Sequence, residues 1–150
     1  MTVHVQIASH AGDIPDARYI RRWARAALRG QRHRSEVTVR VVGEHEAKQL
    51  NARWRKRQQA TNVLSFPATI TALTTGALGD IAVCAPVVKR EARAQGKPLA
   101  AHWAHLVIHG VLHLLGHDHK GRQDAALMEA KEILILAGLG FPDPYIVEKV

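Results

Sequence analysis

The sequence predicts one mixed α/β domain over residues 1–150, and three observations carry that expectation. Segments 2–8 and 36–42 alternate apolar and polar residues with the period of a half-buried strand. Segments of helical spacing, punctuated by Pro and Gly, separate these from two further short apolar runs. At 150 residues and 47% apolar content, the chain can bury a sizeable core, and its single cysteine, Cys84, cannot form an internal disulfide.

Each element follows from local chemistry. In segment 2–8, Val3, Val5 and Ile7 supply one apolar face. Past Pro15, a basic helix is expected over 16–28, with Gly30 as its stop. The β-branched run 36–42 (EVTVRVV) is the second strand, ended by Gly43, and a helix over 44–54 offers Ala47 and Leu50 to the core. Residues 62–66 (NVLSF), closed by Pro67, form a third strand; the Thr-rich stretch 68–77 reads as a loop or an exposed hairpin arm. Gly79 and Asp80 introduce a fourth strand over 81–84. Pro86 then opens a helix to about Gln95, with Gly96 as terminator. Pro98 starts the next helix, which ends at Gly116, and a last amphipathic helix spans 124–137 before Gly138, Gly140 and Pro142 break the tail.

Lysine and arginine number 21 against 13 acidic residues, a formal net charge of +8. That excess favours a polyanionic partner, and its distribution points to one basic face: Arg18 to Arg34, and the cluster Arg53, Arg55, Lys56, Arg57. No run approaches the ~18 apolar residues of a membrane span, and the start MTVHVQIASH lacks signal-peptide character. A cytoplasmic protein without a membrane partner is expected.

The chemistry-bearing segment is HGVLHLLGHDH, residues 109–119. On a helix, His109 and His113 lie about 40° apart around the axis and about 6 Å along it, so two imidazoles can converge on one ion. Gly116 can take the left-handed conformation that ends a helix, letting the chain turn back and deliver His119 as a third ligand. Three neutral nitrogens leave a fourth tetrahedral position for water, the plan of a catalytic zinc site. His105 lies one turn before His109, out of reach of an ion shared with His113 and His119, and reads as a packing or ligand-orienting residue. His117 and Asp118 sit in the turn, where either can touch substrate, orient a ligand or face solvent.

The spacing is that of a metzincin zinc site with one omission. Metzincins place a glutamate directly after the first histidine as general base, and here that position is Gly110. Glycine inside a helix costs about 1 kcal/mol relative to alanine. A zinc peptidase is therefore disfavoured, while hydrolysis by water acidified at a metal does not strictly need that base.

HGVLHLLGHDH, together with NARWRKRQQATNVLSFP, LGDIAVC, AHLVIHG, MEAKEILILAGLG and PDPY, resembles the YbeY family of bacterial endoribonucleases, also called rRNA maturation factors; the similarity runs from about Val37 to Tyr145. The resemblance implies an α+β, zincin-like fold with a small mixed sheet of four strands packed against a central metal-bearing helix. It places the family's zinc ligands on His109, His113 and His119 and its functional arginine on Arg55. It implies cleavage of single-stranded RNA, linked to maturation of the small-subunit rRNA 3′ end and to ribosome quality control. Ribosomal proteins or an assembly GTPase are then the expected partners, and DNA is not. Three positions depart from the family pattern: His117 where tyrosine is frequent, Gln58 in place of an acid, and Ala60 in place of proline.

The residues and the resemblance agree on a phosphodiester substrate. An ion ligated by three neutral histidines keeps its full charge, suited to polarising a phosphoryl oxygen and activating water or hydroxide. One Zn2+ per chain is expected, although imidazoles also accept nickel, copper or cobalt. Arg55 can present a planar fork to the non-bridging oxygens. Arg53, Lys56 and Arg57, with His117, are the candidate substrate contacts along the RNA backbone. The alternative from another class is a metal-stabilised ribosome assembly factor that binds without cutting.

Overall fold

The computed structural model describes residues 1–31, 35–55, 61–68, 76–117 and 120–146, with Trp54 and Arg55 described by their backbone alone. The elements run β1 (Thr2–Ile7), α1 (Ala17–Leu28), β2 (Glu36–Val42), α2 (Glu44–Arg55), β3 (Val63–Pro67), β4 (Ala77–Cys84), α3 (Ala85–Gln95), α4 (Leu99–Leu114) and α5 (Arg122–Gly138). The strands form one mixed sheet in the order β1-β2-β4-β3, in which β1, β2 and β4 are parallel and β3 is antiparallel to β4. The mixed α/β architecture with a four-stranded sheet is the one the sequence predicts.

Period-two alternation in the strands sorts the core into two layers. Val37, Val39 and Val41 of β2 and Ile81 and Val83 of β4 face α1 and α4, where Trp103, Ala104, Val107, Ile108 and Val111 are fully buried. Val42, Ala82 and Cys84 point the other way, toward Ala47 of α2 and Val87 of α3. Each fully buried Val, Leu or Ile contributes about 1.5–3 kcal/mol, so α4 is anchored by its apolar face. Cys84 is buried, as its strand position suggests, and burial pushes its thiol pKa up.

Helix ends follow local chemistry closely. Asp16 caps α1 by accepting a hydrogen bond from the Arg18 amide at 2.9 Å. Gly96 closes α3 in the left-handed region at φ 63°. Two expectations are adjusted. Strand β4 begins at Ala77 rather than at Ile81, because Gly79 and Asp80 stay in the ladder opposite Val37 and Thr38. Gly79 does so at φ 140°, where a Cβ would run into the Phe66 carbonyl. In β1 only Val3 is fully buried and Ile7 is 49% exposed, since β1 is the edge of the sheet. The stretch 69–75, expected as loop or hairpin arm, lies outside the described residues. Among the described residues no helix is long and apolar enough to cross a membrane.

Candidate metal centre

Helix α4 carries His105, His109 and His113 on one half-buried stripe, while the positions between them fill the core. The rings of His109 and His113 meet edge to face with centroids 4.8 Å apart, and those of His105 and His109 lie 6.2 Å apart. The i, i+4 spacing does what the sequence predicts, bringing two imidazoles side by side.

The helix ends in a glycine-terminated reversal. Gly116 sits at φ 96°; its amide donates to the His113 carbonyl at 3.0 Å, and the His117 amide donates to the Leu112 carbonyl at 3.0 Å. This paired closure is a Schellman motif. It redirects the chain just before His119, which with Asp118, Lys56 and Arg57 lies outside the described residues, as do Gln58 and Ala60. Arg55 is the last residue of α2, and Arg53, two residues earlier, is exposed. His117 is half-buried, and the Lys131 ammonium donates to its Nε2 at 3.4 Å.

The structure adds two residues that sequence reasoning missed. Glu132 of α5 is only 1% exposed and faces the histidine stripe. Its Oε2 lies 2.6 Å from Nε2 of His105 and 3.3 Å from Nδ1 of His109, and its Oε1 accepts from the Tyr145 hydroxyl at 2.8 Å. Burial alone would raise this carboxyl. The hydrogen bonds from His105, His109 and Tyr145 overcome that penalty and hold its pKa down to about 2. Tyr145 is correspondingly pushed well above the usual phenol range, first by burial and then by the adjacent carboxylate. The PDPY segment sets Tyr145 in place: Lys97 Nζ donates to the Pro144 carbonyl at 2.9 Å, and the Tyr145 amide donates to Asp143 at 2.8 Å. A signal for Glu132 was available, because Met128, Glu132 and Leu136 form the buried i, i+4, i+8 stripe of α5, and a lone acid there needs partners.

This donor set fits a divalent transition-metal ion. His105, His109 and Glu132 offer ligand atoms that all lie within 4.8 Å of one another and could hold one. Ligand atoms on a tetrahedral zinc stand about 3.3 Å apart, whereas His105 and Glu132 approach to 2.6 Å, a hydrogen-bond separation. A carboxylate placed behind a ligating histidine fixes its tautomer, and Nδ1 of His109 turned toward Glu132 directs Nε2 away from the carboxylate.

Gly110 faces the sheet, not the histidine stripe. A Cβ there would stand 2.9 Å from Cγ2 and 3.1 Å from Cδ1 of Ile81 and 3.3 Å from Cγ2 of Val63. The Ser65 hydroxyl of β3 donates to the Gly110 carbonyl at 3.1 Å, tying the edge strand to the helix. Glycine at this position lets α4 and the sheet approach closely. A glutamate here would be driven into the apolar packing, so this helix has no place for the metzincin base.

Asn62, which opens NVLSF, is likewise structural. Its amide nitrogen donates to Glu91 at 3.1 Å, its side-chain oxygen accepts from the Val63 amide at 2.6 Å, and its carbonyl accepts from the Cys84 amide at 2.9 Å. Glu91 also meets Nε2 of the buried His102 at 3.0 Å. His102 thus belongs to the packing of α3 on α4, and burial lowers its pKa despite Glu91.

Comparison with known proteins supplies the family. The family model described as Endoribonuclease YbeY matches residues 6–140. A protein of Nitrosococcus oceani named Endoribonuclease YbeY is 50% identical over 148 residues, covering 97% of each chain. One of the same name from Stutzerimonas stutzeri is 53% identical over 143 residues, covering 94% of this chain and 89% of that one. Among solved structures, the solution structure of TM1509 from Thermotoga maritima matches with a TM-score of 0.61 over 96% of this chain and 99% of that one; at 22% identity it shares the fold. With the match running through both the sheet and the histidine-bearing helix, this chain belongs to the YbeY endoribonuclease family.

Proposed function

We propose that the chain is a metal-dependent endoribonuclease that cleaves single-stranded RNA, with one zinc ion held by His109, His113 and His119. The observation that carries this reading is the pair of facing imidazoles, His109 and His113, with the Glu132 carboxylate behind His109. Glu132 accepts the Nδ1 proton of His109 and so presents Nε2 for ligation; His105 and Tyr145 saturate the rest of that carboxylate. A bound divalent ion supplies Lewis-acid polarisation of a phosphoryl oxygen and acidifies water, which makes a base at position 110 dispensable. Arg55 binds the scissile phosphate and stabilises the charge that builds on it. Arg53, Lys56 and Arg57 follow the RNA backbone, with His117 near the metal end of the path.

Family membership extends the reading to small-subunit rRNA 3′-end maturation and ribosome quality control in the cytoplasm, with ribosomal proteins or an assembly GTPase as partners. The experiment is cleavage of a labelled single strand by the metal-loaded chain and its Arg55→Ala variant. Loss of turnover with retained RNA binding supports the enzyme. A parent that binds RNA and never cuts it, under any divalent metal, gives precedence to a non-catalytic assembly factor. A second reading of the metal site, with His105, His109 and Glu132 as ligands, is favoured by the 4.8 Å grouping of their atoms; metal content in variants of His113 and Glu132 separates the two.

A further inference from the structure

Helix α1 carries a feature that the metal centre does not use. Arg18, Arg22 and Arg25, with Arg29 at the C-cap, fall within an arc of about 60° on one face. All four are exposed, and the first turn contains no acid. Among the described residues, the ion pair made by these four is Arg18 with Asp16, at 3.9 Å and largely in solvent. Like charges three and four residues apart destabilise a helix, a repulsion that a bound polyanion would relieve.

Tyr19 stands beside this stripe, 41% exposed, with the guanidinium carbons of Arg18 and Arg22 lying 5.0 Å and 5.9 Å from its ring centroid. It stacks at 28° on Trp23, which in turn meets Phe141 edge-on. These rings, with Arg22, Leu99 and Leu139, line an open cleft of about 460 Å³. Two carboxylates stand at its rim, Asp13 paired with Lys89 at 3.0 Å and Asp16 engaged by the Arg18 amide, so their charge is partly compensated. They remain acceptors for the N–H groups of a base.

We infer that α1 and this cleft form a second single-stranded RNA surface, with an unstacked base on Tyr19 in the cleft and the phosphates along Arg18, Arg22, Arg25 and Arg29. The combination decides the partner class. A cation stripe alone would suit any polyanion, whereas an apolar, aromatic-lined cleft beside it suits the exposed bases of a single strand. Leu99, at the cleft, and His109 are ten residues apart on one helix, about 15 Å along its axis. One strand can therefore occupy both places, holding the substrate at a distance from where it is cut. This inference rests on RNA being the substrate.

The test is fluorescence anisotropy of a labelled single-stranded RNA on the full chain over a salt series, comparing the parent with R22Q/R25Q/R29Q, R25Q alone and Y19A. Thermal melting and metal content report whether each variant is folded. Removing three phosphate contacts should lower the slope of log affinity against log salt by about 2–3, and R25Q alone by about 1. Y19A should lose about tenfold in affinity with its salt slope kept. Parent-like affinity and slope in the triple variant or in R25Q overturn the inference, as does a triple variant that holds RNA but loses a poly-glutamate peptide. Cleavage by the parent is read separately on the same RNA. If the parent binds through α1 but never cuts, the enzyme reading fails and this one stands; if it cuts and the α1 variants bind as it does, the reverse holds.

Discussion

Oε2 of Glu132 stands 3.3 Å from Nδ1 of His109, joining a buried carboxylate on α5 to the first histidine of the HxxxH pair on α4. The contact links packing to chemistry: the same side chain that closes α5 onto α4 also orients a proposed metal ligand. Removing it should weaken metal binding without removing any ligand. Glu132→Gln is expected to lower metal affinity by about 10–100-fold, measured by competition with a chromophoric chelator. Unchanged affinity would show that Glu132 serves packing alone.

Gly110 gives a prediction of opposite sign to helix propensity. Alanine there should gain up to about 1 kcal/mol in the helix, yet its Cβ would press on the branched, fully buried Ile81. Overpacking of this kind costs about 1–3 kcal/mol. Gly110→Ala is therefore expected to be neutral to about 2 kcal/mol destabilising by denaturant titration, and Gly110→Glu to be worse. Clear stabilisation by alanine would contradict the close approach of helix and sheet.

His102 gives a pH dependence. Its ordinary value is 6.5, and burial lowers it in the folded chain despite Glu91. The unfolded chain then takes up a proton that the folded chain resists, so this residue's contribution is present above about pH 6.5 and is lost as pH falls below it. In metal-free protein, the stability difference between parent and His102→Gln should shrink as pH drops from 7 toward the folded pKa. Parallel stability curves would show that burial does not disfavour the charged form of His102.

Gly116 holds the turn that leads toward His119. A non-glycine residue in the left-handed region costs about 1–2 kcal/mol, and φ here is 96°. Gly116→Ala should lower stability by about that amount and weaken metal binding together with it. Lost stability with unaltered metal affinity would show that the reversal has no part in the metal site.

Much of this was legible because it is local. The His109–His113 pairing, Gly96 as the terminator of α3 and the left-handed Gly116 each follow from spacing or from one residue's backbone preference, whereas the helix expected from Asp16 starts one residue later, with Asp16 as its cap. Glu132 and Tyr145 were not read because they meet the histidines from 23 and 40 residues away, through the docking of α5 and of the PDPY segment. The start of β4 escaped because Gly79 and Asp80 interrupt the apolar alternation while their backbones stay paired with β2. Gly110 was read as the loss of a base; its closeness to Ile81 is a tertiary fact, visible once helix and sheet are packed together.

The most direct test measures bound metal per chain by elemental analysis, alongside cleavage of a labelled single-stranded RNA, for the parent and His113→Ala. One equivalent of metal and RNA cleavage are expected in the parent, and loss of both in the variant. Full cleavage by metal-free His113→Ala would contradict it, as would a variant that keeps its metal until Glu132 is also replaced.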